Sequence, residues 1–197
     1  FFFVLDRTNG QFISAKNYVE VNWASGYTAD GRPIETPNSR PTKMAEIKPG
    51  PLGGHNWPPM SYNPSTGLVY IPAHVRPSLM GELPDWKYGV HQPGVIGSGT
   101  GVNLGVAYAG ASTKPYGRLL AWDPVAQKAV WQQDHVSHFN GGTLTTQGNL
   151  VFQGTADGRF IAWNAKTGSK VWESPVGLGM VAAPVTYALG GKQYVSI

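Results

Sequence analysis

Gly53-Gly54-His55-Asn56-Trp57-Pro58-Pro59-Met60 is the segment of this chain best equipped for binding chemistry. Its glycines allow a ligand or a second backbone to approach closely. The Asn56 amide offers both a donor and an acceptor, and Trp57 adds a large flat indole. Pro58 restricts Trp57 to an extended backbone and so fixes where the ring points. Asn56 and Trp57 could therefore receive a planar polar ligand, the amide bonding its edge and the indole contacting it. A structural role fits the same residues: Trp57 packed in the core and Asn56 capping a turn. No residue within 1–197 is assigned a catalytic role, and none is assigned as a metal ligand.

Other constellations carry less. His135 and His138 lie three apart, a spacing suited to one helix face, but they fall in a loop with Asp134 as their only neighbouring carboxylate. The absence of Cys removes disulfides, thiol catalysis and zinc-thiolate sites from this stretch. No His-Glu-x-x-His, Gly-x-Ser-x-Gly or Walker sequence occurs, so hydrolase and nucleotide-motor chemistry has no support. The alternating glycines of Gly97-Ser98-Gly99-Thr100-Gly101 lack the strand, helix and spaced acid of a dinucleotide fingerprint and read as a flexible loop. Net charge is +4 with pI near 9.3, yet Lys and Arg are dispersed. Phosphate binding needs clustered cations, so nucleic acid is not expected as a partner. No apolar run approaches the ~20 residues of a membrane span. The opening Phe1–Leu5 is too short, and lacks the charged start, to be a signal peptide.

The elements that must position these residues are read from a repeat. Gly117-Arg118-Leu119-Leu120-Ala121-Trp122-Asp123 through Val130-Trp131 recurs 41 residues later as Gly158-Arg159-Phe160-Ile161-Ala162-Trp163-Asn164 through Val171-Trp172. A period of about 40 residues with paired tryptophans marks a propeller blade. With Gly 26, Pro 16 and only 13% charged residues, the composition is that of an all-β, turn-rich chain. In the copy at 141–173, strands are expected at 142–146, 150–153, 159–163 and 169–173, giving one four-stranded antiparallel blade. Tryptophans 122, 131, 163 and 172 then pack between blades rather than bind a cofactor. Asp6, Asp123 and Asn164 form turns, their side chains bonding nearby backbone N–H groups.

Leu68-Val69-Tyr70 sits 82 residues, two periods, before Leu150-Val151-Phe152, so 54–131 reads as one blade carrying an insertion at 74–116. Residues 1–14 read as a half blade, 15–53 as a second insertion and 179–197 as another half blade. The expected fold is thus all-β: a partial β-propeller of about two whole four-stranded blades and two halves. Such an open stack exposes strand edges that pair with neighbours, and the chain does not begin with Met, so a longer parent polypeptide is expected. Long insertions often wall a site, and the one at 74–116, with Trp86, Tyr88 and Tyr108, is a candidate wall.

With these features in hand, the chain resembles the pyrroloquinoline quinone (PQQ) dependent alcohol dehydrogenases, most closely the soluble quinohaemoprotein type. Phe2–Arg7, Val21–Gly26, Asn63–Tyr70, Gly117–Lys128 and Asn140–Arg159 carry the resemblance, in the family's order. It implies an eight-bladed quinoprotein propeller holding PQQ and Ca²⁺ on its axis in the bacterial periplasm. The implied reaction oxidises primary alcohols to aldehydes, with electrons leaving through haem c to a cytochrome c or similar acceptor. Of the family's cofactor contacts, an Asn-Trp pair maps onto Asn56 and Trp57. The Ca²⁺ ligands, catalytic Asp, vicinal Cys pair and stacking Trp would precede residue 1, with a cofactor-contacting Lys just upstream of Phe1. A backbone contact and a haem domain would follow Ile197. Two other readings are a non-enzymatic propeller scaffold of the outer-membrane assembly type and a membrane-bound glucose or polyol quinoprotein dehydrogenase. The scaffold would lack the Asn56–Trp57 site and the long insertions; the membrane enzyme would differ in its insertions and electron acceptor.

Overall fold

The computed structural model describes residues 1–83, 85–90, 101–102 and 111–197. The loop expected at Gly97–Thr100 and the aromatic Tyr108 lie outside them. Among the described residues there are sixteen strands and no α-helix. In chain order they are β1 (Phe2–Leu5), β2 (Phe12–Lys16), β3 (Ala24–Tyr27), β4 (Pro33–Glu35), β5 (Ala45–Ile47), β6 (Ser61–Asn63), β7 (Leu68–Val75) and β8 (Ser78–Met80). There follow β9 (Tyr116–Asp123), β10 (Lys128–His135), β11 (Thr143–Thr145), β12 (Leu150–Gly154), β13 (Arg159–Asn164), β14 (Lys170–Pro175), β15 (Val185–Leu189) and β16 (Lys192–Ser196). The chain divides into two compact units, one of Phe1, Phe3–Gly53 and Arg76–Lys114, the other of Phe2, Gly54–Val75 and Pro115–Ile197.

The first unit contains much of the two segments that break the sequence period, and they are not plain loops. β3 pairs with β4, and β5 pairs with β8, so the insertion before the first blade is stitched to the one within it. Asn22 supports that joint, its Nδ2 donating to the Glu46 carbonyl at 2.7 Å and its Oδ1 accepting from Lys48 N–H at 2.8 Å. Lys48 in turn bridges the Glu20 and Glu46 carboxylates at 3.0 and 3.3 Å. Three-residue strands carry too short an alternation to be recognised in sequence. Elsewhere in the unit, the edges of Phe1 and Phe3 meet the Tyr27 ring, each at 4.9 Å between centroids.

The second unit holds two four-stranded antiparallel sheets, β6-β7-β9-β10 and β11-β12-β13-β14, and the hairpin β15-β16. Their registers repeat. Val69 lies opposite Trp122 in the first sheet and Val151 opposite Trp163 in the second. Even the irregularities match: the outer strand skips one residue before Trp131 in the first sheet, at Val130, and before Trp172 in the second, at Val171. Such a bulge re-aims the side chain that follows it. The two sheets pack on a shared core of Leu68, Tyr70, Leu119, Ala121, Val151, Ile161, Trp163 and Ala165, with Trp131 laid against it. These are consecutive blades of an incomplete β-propeller.

The turns explain why the blades dock. Asp123 Oδ1 accepts from the N–H groups of Val125 and Ala126, and Asn164 Oδ1 from those of Lys166 and Thr167. Asp6 and Asn63 do the same at their own turns. The turn at 164–168 is also a receptor for the preceding blade. The Ala165 carbonyl accepts from the Tyr70 hydroxyl at 3.0 Å and from the Trp131 indole N–H at 2.9 Å, while Gln133 donates to the Gly168 carbonyl. Burying an indole and a phenol with both polar tips satisfied keeps their apolar gain without an unpaired donor.

Candidate functional site

The segment between Gly54 and β6 lies at the entrance of the first blade. Its backbone is pinned at both ends: the Gly54 carbonyl accepts from His74 N–H at 2.8 Å, and the Pro59 carbonyl accepts from Thr143 N–H at 2.9 Å. Thr143 Oγ1 adds a bond to the Tyr70 carbonyl at 3.1 Å. Gly142 faces the Pro59 ring so closely that no larger residue fits between them. His55 Nε2 lies 2.8 Å from the Pro58 carbonyl, closing the turn around Asn56 and Trp57. A carbonyl can only accept, so Nε2 carries the proton.

Within this brace, Asn56 Oδ1 accepts the Trp57 N–H at 2.9 Å, which sets the plane of its amide. Trp57 is 84% exposed, the largest exposure of any tryptophan among the exposed apolar residues. The core-packing role open to Trp57 on sequence grounds is therefore not the one it plays. Asn56, by contrast, does use its oxygen on a local turn, as its structural reading allowed. The indole is thus held out from its own blade on a braced backbone.

His135 and His138, three apart in sequence, part company. His135 is buried and its Nε2 meets Gln153 Oε1 at 3.1 Å, whereas the His138 ring lies 6.3 Å from that of His74. Burial pushes the His135 imidazole below its ordinary value, with the Gln153 bond opposing. His55 is lowered in the same way, its bond to Pro58 opposing. Among the described residues no group of three or more His, Cys, Asp or Glu is arranged to hold a metal ion. Of the insertion aromatics, Tyr88 is exposed, and Trp86 lines a cavity of about 600 Å³ with Arg40, Met80, Leu83 and Asp85 inside the first unit.

The sequence pattern of the PQQ family described as "Glucose/ethanol/alcohol dehydrogenase, beta-propeller domain" matches residues 20–195. The chain belongs to this family. Along its whole length it is 58% identical to the quinohemoprotein alcohol dehydrogenase of Comamonas testosteroni and 52% identical to the 1-butanol dehydrogenase (cytochrome c) of Thauera butanivorans. It spans 28% and 29% of those two relatives. The solved structure of the Comamonas enzyme superposes on 98% of the chain with a TM-score of 0.89, again covering 29% of that protein. A europium-containing methanol dehydrogenase, 29% identical, superposes with a TM-score of 0.82 and is covered over 34% of its length. The fold of this member is therefore a portion of a quinoprotein dehydrogenase propeller.

The residues that sequence reasoning missed are the braces. His55 was read only as part of the motif, and Gly142 and Thr143 only as strand residues. Gly142 acts by having no side chain, and the partners of Thr143 N–H and Oγ1 include backbone carbonyls 73 and 84 residues away, so neither leaves a chemical signature in sequence.

Proposed function

We propose that this chain forms part of the propeller of a periplasmic PQQ-dependent alcohol dehydrogenase that oxidises primary alcohols to aldehydes and passes the electrons through haem c to a cytochrome c or similar acceptor. The observation that carries this reading is the 58% identity, over the whole chain, to a quinohemoprotein alcohol dehydrogenase. Asn56 and Trp57 are its PQQ contacts. Their arrangement suits a flat, carbonyl-rich cofactor: an amide set in plane by its own turn beside an indole left largely uncovered by the rest of its blade.

Bound PQQ with Ca²⁺ would supply the two-electron acceptor and the Lewis acid that polarises its carbonyl. Asn56 would contribute hydrogen bonding to the cofactor's polar edge, and Trp57 would contact the ring system and keep water from that side. No Ca²⁺ ligand and no base for the alcohol proton is assigned to residues 1–197. This segment by itself should therefore neither enclose PQQ nor turn over alcohol.

Dye-linked oxidation of a primary alcohol by the full-length protein is the test. Activity is expected only with PQQ and Ca²⁺ together, and chelation of Ca²⁺ should abolish it. Turnover with either omitted, or by the 197-residue segment alone, would contradict the proposal.

A further inference from the structure

His55 is half-buried beside the two proposed cofactor contacts. What it does is geometric. Its Nε2 reaches over Asn56 and Trp57 to the Pro58 carbonyl at 2.8 Å. The carbonyl next along, that of Pro59, is taken by Thr143 of the second blade. Two proline carbonyls in a row are thus held, and the Asn56–Trp57 pair between His55 and Pro58 has little freedom left. Proline itself lacks an N–H, so these two residues can be secured through their carbonyls but not through backbone donors.

We infer that His55 is a positioning residue, whose Nε2–H bond to the Pro58 carbonyl locks the turn carrying Asn56 and Trp57 and so sets the affinity of the propeller for PQQ. The inference rests on the proposed function of that pair. It acts through preorganisation: a turn already fixed in its binding shape loses less entropy when the ligand arrives. The requirement is for a donor at that point rather than for imidazole chemistry. A glutamine amide can reach the same carbonyl, whereas a phenylalanine fills the volume and donates nothing.

The test titrates the apo form of the full-length protein with PQQ, following tryptophan fluorescence quenching, for the wild type, His55→Phe, His55→Gln and Trp57→Ala. His55→Phe should weaken PQQ binding about tenfold, the worth of one lost hydrogen bond at a preorganised turn. His55→Gln should stay within about threefold of the wild type. At saturating PQQ both variants should regain near-normal turnover, because the site is loosened and not dismantled. Equal binding by His55→Phe and the wild type, or equal losses in His55→Phe and His55→Gln, would overturn the inference. If His55→Phe fails to fold, full loss of affinity in a folded His55→Gln still overturns it and retention supports it. Trp57→Ala separates the two levels: unchanged binding there defeats the proposed site itself, while weakened binding there beside a normal His55→Phe defeats only the role of His55.

Discussion

Gly67, in the turn from β6 to β7, and Gly168, in the turn from β13 to β14, each stand four residues after an Asx residue, yet a single methyl group should affect them differently. Both have positive φ, +70° and +71°. Around Gly67 the space is open, so Gly67→Ala pays only the left-handed backbone penalty, about 1 kcal/mol. At Gly168 the added carbon would lie 2.6 Å from the Trp131 indole. Gly168→Ala must both strain the turn and displace the ring that joins the blades, a loss of roughly 2–4 kcal/mol. Urea unfolding of the two variants measures the difference. The equivalent site in the first blade, Gln127, adopts φ 52° without being glycine, so the turn tolerates a side chain where no neighbouring ring abuts it. The chemistry of residues is legible in sequence where it depends on side-chain type, as at the Asx turns of Asp6, Asp123 and Asn164. The His55 clamp is not, because its partner is a carbonyl, and carbonyls are common to every residue.

Between elements, β10 and β12 meet through one buried polar joint. His135 donates to Gln153 Oε1, and Gln153 Nε2 donates to the Gly141 carbonyl at 2.8 Å, so the pair spans both blades with its amide orientation fixed. Burial holds the folded His135 below its ordinary value of 6.5, with Arg159 also disfavouring the charged form and Asp157 and Asp134 opposing. The unfolded chain therefore binds the proton more readily than the folded one. Stability is complete above about pH 6.5 and is lost as pH falls from there toward the folded value. His55 shifts in the same direction and adds to the slope. Denaturation midpoints should drop over the range of pH below about 6.5, and His135→Leu should flatten part of that dependence while lowering stability at neutral pH. A midpoint that is level across that range would exclude the joint as an acid-sensitive element. At this scale the repeat placed the blade strands, but the bulges at Val130 and Val171 carry no Gly or Pro to announce them. The pairing of β5 with β8 was also hidden, because it joins two segments that have no period of their own.

For the molecule as a whole, the 41-residue repeat and the tryptophan spacing were enough to read an incomplete propeller, since a blade buries its faces only against other blades. The insertions were not readable in the same way; they are held by specific bonds such as Asn22 to Glu46 and Lys48, and not by periodic burial. The chain spans under a third of the length of the two relatives it matches from end to end. On the proposed function, this segment would contribute a braced indole, Trp57, and its neighbouring amide, Asn56. The measurement that tests this most directly is equilibrium PQQ binding to the apo form of the full-length protein, compared between the wild type and Trp57→Ala. The melting temperature of each apo protein is compared alongside, so that affinity is read on a folded variant. The account predicts PQQ affinity reduced about tenfold or more with that fold intact. Undiminished affinity in a folded Trp57→Ala protein would contradict it.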